Sequence, residues 1–167
     1  MQQYIGTKLI EAAPALRYSD GKTVLVVEMG RDKSPEEEAF IKSAETCDMG
    51  YRVRYADGYE SWSPADVFEA AYLPVTVNPQ LRGDAPSISQ KMVDDFIREK
   101  EVVTMGDKTT VVRAVLRNGF EIVESSACVS AENYDEDLGA GICMEHINDQ
   151  VWKLLGFLLQ TAVHGIN

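Results

Sequence analysis

The last part of the chain reads as one uninterrupted helix, and this feature restricts the possible folds more than any other. Apolar side chains recur every three or four residues from about Asn133 to about Val163, which is the spacing of one helical face. They are Leu138, Ile142, Ile147, Val151, Leu154, Leu155 and Leu158. Such a helix is more than about 40 Å long. One short helix and a small hairpin cannot cover it, so we expect a homo-oligomer formed through this C-terminal helix.

A segment rich in turn-forming residues divides the chain upstream of this helix. Residues 75–89, VTVNPQLRGDAPSIS, contain two prolines, a glycine, Asn78 and Asp84, and they show no clear periodicity. This composition is typical of a linker. We therefore predict a module at residues 1–74, a linker at 75–86 and a second module at 87–167.

The second module is predicted to have the order α-β-β-α. Ser87 or Ser89 can cap a first helix, QKMVDDFIREK. Strand-like runs follow and are broken at residues 106–107 (GD) and 118–119 (NG), of which Asn-Gly is a strong hairpin signal. The long helix ends the module. Its small residues, GAGIC at 139–143, indicate close helix packing rather than a phosphate-binding loop.

The first module is predicted to be mostly β with two short helices. YIGTKLIEAAPA and KTVLVVEM have strand composition, and Ser34 followed by Pro35 suits a helix start. In GYRVRYADGYESW the side chains at 51, 53 and 55 should point to one face and Arg52 and Arg54 to the other, before a turn at Asp57-Gly58.

The stretch WSPADV, residues 62–67, predicts the start of the second short helix. Ser63 is a suitable N-cap, Pro64 suits the first helical position, and Asp66 has the spacing of a capping box. Trp62 and Val67 then have the spacing of a hydrophobic staple. With these elements the sequence predicts an α+β protein, in which a small, mostly β N-terminal module precedes an α-β-β-α C-terminal module with a long C-terminal helix.

Charge and composition exclude several classes of function. The formal net charge is −11 and the pI about 4.6, so the surface should repel phosphate backbones, and we expect no nucleic-acid polymer as partner. A small anion can still bind a local group of arginines. No apolar run reaches the roughly 18 residues of a membrane span, so no membrane association is expected. Three cysteines without CxxC spacing and only two histidines predict no metal site.

The sequence also predicts no enzyme. It contains no GxGxxG motif and no P-loop lysine. Cys128 has no basic neighbour that would lower its pKa, and no spacing brings two acids together. We therefore expect no catalytic residue and no cofactor.

The aromatic and arginine residues of the first module have two interpretations. They form either a small core or a pocket in which rings stack on a base and arginines bind phosphate. The predicted ligand-binding residues are Arg52, Arg54, Tyr59, Ser61 and Trp62. Trp62 also fits a structural clamp, whereas the fold does not obviously require the other four.

The C-terminal half resembles a family of small tailed-phage and prophage accessory proteins of unassigned function. The resemblance is carried by SISQKMVDDFI, by LRNGFEIVESSACVSAENYDEDLG and by EHINDQVWKLLGFLL. It implies a phage accessory protein that acts in the host cytoplasm, without implying a reaction.

The N-terminal module, with its strand, DG turn, strand and W-S-P-x-D-helix layout, resembles the phage Thoeris anti-defence sponges, which sequester nucleotide immune signals. That resemblance implies binding without catalysis, with a small nucleotide-type ligand as partner. The alternative is an acidic protein-interaction module that binds and inhibits a host defence protein.

Overall fold

The computed structural model describes residues 2–3, 5–83 and 85–166. The chain forms two compact units that divide between Leu73 and Pro74. The α+β class is confirmed, because helices and two antiparallel sheets both contribute to the structure.

The N-terminal unit is a four-stranded antiparallel sheet with two short helices. Its elements are β1 (Glu11–Ser19), β2 (Val24–Glu28), α1 (Pro35–Ser43), β3 (Thr46–Arg54), β4 (Glu60–Pro64) and α2 (Ala65–Ala71). The strand order is β2-β1-β3-β4, so the two longest strands are central. Ala15, Val27 and Val53 are buried within this sheet.

Strand β1 lies further along the chain than its composition suggests. The predicted strand covered residues 4–15, of which Tyr4 lies outside the described residues, and residues 5–10 are not in a strand. The observed strand contains Pro14 and ends at Ser19. Its position is set by pairing with β3 along its whole length and with β2 from Ala15 onward. Pairing between distant segments therefore overrides local composition here.

Helix α1 begins as predicted. The Ser34 hydroxyl accepts a hydrogen bond from the Glu37 backbone N–H, and the Glu37 carboxylate accepts one from the Ser34 N–H. This is a complete capping box, with Pro35 in the first helical turn.

The predicted start of α2 is wrong in detail. Ser63 lies in β4 opposite Tyr51, and the N-cap is Pro64, which provides no side-chain cap. The staple is wrong too, because Trp62 and the helix lie on opposite faces of the sheet: α2 packs where Phe68 stacks on Tyr51 with ring centroids 4.1 Å apart. The sheet therefore extends two residues past Trp62, which the capping pattern did not show.

The C-terminal unit has one strand more than predicted. Its elements are α3 (Gln90–Phe96), β5 (Ile97–Met105), β6 (Thr109–Leu116), β7 (Glu121–Ala127) and α4 (Glu136–His164), with a 3₁₀ turn at Ala131–Asn133. The sheet order is β5-β6-β7. Gly106 and Gly119 both adopt positive φ, 69° and 83°, so both break points are hairpin turns and three strands result.

Residues predicted as a linker contact the start of this unit. Asn78 donates a hydrogen bond from Nδ2 to the carbonyl oxygen of Ile88 at 2.8 Å. Thr76 and Ser89 share a hydroxyl–hydroxyl hydrogen bond. Ser89 is also the N-cap of α3 and accepts from the Met92 N–H, so these contacts hold the segment against the first turn of the helix.

Helix α4 packs on β6 and β7 through a narrow stripe. Its buried residues recur at every fourth position: Gly139, Cys143, Ile147, Val151 and Leu155. Gly139 permits the closest approach, because a Cβ there would lie 2.3 Å from Thr110 Oγ1. The close packing predicted for GAGIC is thus confirmed at Gly139. Among the described residues, no helix is both long and apolar enough to cross a membrane.

Candidate functional site

Three of the five predicted ligand-binding residues share one face of the N-terminal sheet. Arg52 lies directly opposite Trp62 in the β3–β4 pairing, and Arg54 lies opposite Glu60. Arg17, from β1, extends over the same tryptophan, with its Cζ 5.1 Å from the ring centroid. We call this surface, defined by Arg17, Arg52, Arg54 and Trp62, the arginine face.

The other two predicted residues lie on the opposite face of that sheet. Ser61 pairs with the buried Val53. Tyr59 is 64% exposed, and its ring centroid is 5.8 Å from that of Tyr55. Since side chains alternate along a strand, the structure does not gather the five residues around one point. Two separate surfaces result, one charged and one aromatic.

Carboxylates hold two of the arginines on the arginine face. Arg52 donates to Glu60 at 2.5 Å and to Glu28 at 3.0 Å, and Arg54 donates to Glu60 at 3.0 Å and approaches Glu11 at 3.5 Å. These pairs span all four strands, since the glutamates come from β1, β2 and β4. Arg52 and Arg54 are therefore pre-positioned, but an incoming anion would have to compete with Glu60.

The environment of Glu60 is shaped by its two partners. Hydrogen bonds from Arg52, and then from Arg54, lower the pKa of the Glu60 carboxyl below its ordinary value. The same contact raises the pKa of both guanidinium groups. Glu60 is thus the acid on which the arrangement of the arginine face depends most.

This arrangement predicts an acid-sensitive contribution to stability. A carboxyl whose pKa is lowered by folding stabilises the folded state above its unfolded pKa, and the contribution is lost as pH falls through the folded pKa. The melting temperature of Glu60→Gln should therefore lie below that of the wild type at pH 7. This difference in melting temperature should disappear as the pH falls below about 4. Circular dichroism melts of both proteins between pH 7 and pH 2 measure this difference.

A matched control separates this effect from general loss of an acid. Glu45, in the same unit, makes no ion pair with any residue in the described ranges. Glu45→Gln should follow the wild type at every pH. A gap between Glu60→Gln and the wild type that is equal at pH 3 and pH 7 would contradict the prediction.

Arg17 was missed by sequence reasoning. It lies opposite Asp48 in the β1–β3 pairing, and it forms no ion pair within the residues that the structure covers. Its proximity to Trp62 depends on Gly50, whose missing side chain leaves room for the ring to lie across β3. The glycine is visible in the sequence, but the register that places it beneath the ring is not.

A second polar group lies where α4 meets β7. Gln150 donates a hydrogen bond to the Glu124 carboxylate, and His146 Nδ1 lies 3.8 Å from that carboxylate. Cys143 is buried beside them, and its thiol pKa is raised first by burial and then by the negative charge of Glu124. A thiol held protonated is a poor nucleophile, so this group does not support covalent catalysis.

Metal-binding geometry is not found in the part of the chain that the structure describes. There, no three His, Cys, Asp or Glu side chains lie together in a way that could hold a metal ion. A depression of about 260 Å³ lies between α3, β5 and α4 and is lined by Ile97, Arg98, Lys100, Met144 and Asn148 among others. It is shallow and contains none of the predicted ligand-binding residues.

An antiparallel sheet under one long helix defines the C-terminal unit, and this unit matches a phage protein family. Residues 88–163 match the model of the Phage protein (N4 Gp49/phage Sf6 gene 66) family. The match covers a little under half of the chain and lies wholly within the C-terminal unit. The predicted resemblance of this half to a phage family of unassigned function is thereby confirmed. No curated protein and no solved structure matches the chain.

Proposed function

We propose that this phage protein is a non-enzymatic accessory protein that acts in the host cytoplasm and counters host defence by binding and sequestering a small nucleotide-type signal at the arginine face. The phage family match supports the setting, and the resemblance of the N-terminal module to Thoeris anti-defence sponges supports the mode of action. One observation carries the site: Arg17 stacks over the ring of Trp62, at 5.1 Å, with Arg52 opposite the same ring.

The chemistry of this face suits a nucleotide. The Arg17 guanidinium, which lies over the indole, offers a flat surface on which a base can stack, and a guanidinium binds phosphate through two parallel hydrogen bonds. Within the arginine face, Arg17 is the arginine that no described carboxylate holds, and Arg54 is 56% exposed. These two side chains are therefore the best placed to turn toward a phosphate, while Arg52 and Glu60 keep the surface in position.

The test is a binding assay with a panel of cyclic nucleotides and ADP-ribose derivatives. A bound ligand should raise the melting temperature of the full chain, be depleted from solution, and be recovered intact after heat denaturation. Arg17→Gln and Arg54→Gln should each weaken binding by about 10- to 100-fold, the range for losing one charged hydrogen bond. Arg98→Gln, in the C-terminal unit, is the matched control and should bind normally.

Three outcomes would reject this proposal or relocate its site. If no member of the panel shifts the melting temperature or is depleted, the sequestration function fails. If the ligand is converted rather than recovered, the protein is an enzyme. If Tyr59→Ala removes binding while Arg17→Gln retains it, the ligand lies on the aromatic face instead.

The second candidate function is an acidic module that binds and inhibits a host defence protein. The net charge of −11 favours it, because a surface of one sign accelerates association with a basic partner and makes that association sensitive to salt. A stoichiometric protein partner that is captured from host lysate and released by salt would favour this candidate. A co-purified small molecule would favour sequestration.

A further inference from the structure

Helix α4 is longer than the sheet on which it packs. Its 29 residues span about 43 Å, whereas the eight residues of β6 span about 26 Å. Part of the helix must therefore extend past the end of the sheet. The segment concerned is residues 154–164, which we call the overhang.

Within the overhang Leu155 is still buried, but the apolar side chains beside it on α4 are not. Leu154 and Leu158 follow the buried Ile147 by two and three helical turns, and Phe157 follows Gly139 by five. These positions share one side of the helix. Upstream, that side is buried against β6 and β7, but in the overhang Leu154 is 42%, Phe157 74% and Leu158 41% exposed.

The overhang is also apolar around most of its circumference. In LLGFLLQTAV, residues 154–163, only Gln160 and Thr161 are polar. A helix segment that is apolar all round is normally buried. A contiguous exposed patch of this kind marks an interaction surface.

We propose that a second copy of this chain covers the overhang, with the two helices antiparallel about a two-fold axis and each Phe157 packed between Leu154 and Leu158 of the other copy. Charge selects this occupant. The protein carries a net charge of −11, yet no Asp or Glu occurs after Asp149. Two overhangs therefore meet without opposing carboxylates, and a two-fold contact supplies the same acid-free apolar surface from both sides.

The size of the contact sets the expected affinity. Three exposed apolar side chains from each copy bury less than the roughly 800 Å² per partner of a standard interface. The dimer should therefore be reversible and should dissociate on dilution. All of its residues belong to the C-terminal unit, and none belongs to the arginine face.

Sedimentation velocity of the full chain, from about 1 to 200 μM, tests this proposal. The wild type should shift from monomer to dimer across that range. Phe157→Glu places a charge at the centre of the contact twice, once from each copy, and should raise the dissociation constant at least about 100-fold. Phe120→Glu is the matched control, since Phe120 is 55% exposed in the β6–β7 turn, and it should dimerise like the wild type.

Each alternative result overturns the proposal. If the wild type stays monomeric at every concentration, a second copy of the chain does not cover the overhang. A Phe157→Glu variant that still dimerises places the interface elsewhere, as does a Phe120→Glu variant that dissociates equally. Circular dichroism melts of both variants confirm that a loss of dimer is not a loss of fold.

Discussion

Gly50→Ala should destabilise the N-terminal unit by about 3 kcal/mol or more, because the new methyl group has no space. A Cβ at Gly50 would lie 2.1 Å from the carbonyl oxygen of Ser63 and 2.6 Å from Trp62. β3 cannot move away, since it is hydrogen-bonded to β1 on one side and β4 on the other. Either the β3–β4 pairing or the tryptophan must shift.

Urea unfolding followed by tryptophan fluorescence and circular dichroism measures this loss. Gly6→Ala is the control, because nothing lies within 4 Å of the position that its Cβ would occupy; its unfolding free energy should stay within about 0.5 kcal/mol of the wild type. A Gly50→Ala variant as stable as the wild type would contradict the observed packing of Trp62 on β3. If Gly50→Ala does not fold, Trp62→Phe, a smaller ring at the same place, should still fold with a measurable loss.

Two glycines in α4 should respond to alanine with opposite signs. At Gly141 nothing lies within 4 Å of the added Cβ, so alanine should stabilise the helix by about 0.5–1 kcal/mol through its better propensity. At Gly139 the Cβ would lie 2.3 Å from Oγ1 of the fully buried Thr110. The overlap should outweigh the propensity gain and leave a net loss of about 1–3 kcal/mol.

Unfolding free energies of the two variants, measured side by side, test this contrast. The substitution is the same and the positions are two residues apart, so helix propensity cancels from the difference. Thr110→Ala in the Gly139→Ala background removes the nearest atom and should recover part of the loss, which a double-mutant cycle quantifies. Equal effects at Gly139 and Gly141 would mean that α4 does not approach β6 as closely as described.

Local signals in the sequence predicted the elements whose stabilising contacts are themselves local. The Ser34 cap of α1, the turn at Gly58, the Ser89 cap and the long C-terminal helix all depend on residues within a few positions of one another. The predicted start of α2 was wrong because Ser63 can either cap a helix or pair within a strand. Its pairing with Tyr51 extends the sheet and excludes the capping geometry.

The candidate site was only partly predictable for the same physical reason. Alternation along β3 correctly separated Arg52 and Arg54 from Tyr51 and Val53. It could not show that Glu28, 24 residues away, would hold Arg52, or that Arg17 would cover Trp62. Those contacts depend on the register of strands that are distant in sequence, and one strand's pattern does not determine how it is aligned with another.

The three cysteines differ in accessibility: Cys47 in β3 is exposed, Cys128 is half-buried and Cys143 is buried on the face of α4 that packs against the sheet. Because reaction with an alkylating reagent requires an accessible thiolate, the raised pKa and burial of Cys143 make its labelling depend on the helix lifting from the sheet. Cys47, in the other unit, needs no such opening. Timed alkylation of the unmodified protein therefore contains its own reference. The labelling rate of Cys47 measures the reactivity of the reagent, and the labelling rate of Cys143 reports the opening of the C-terminal unit.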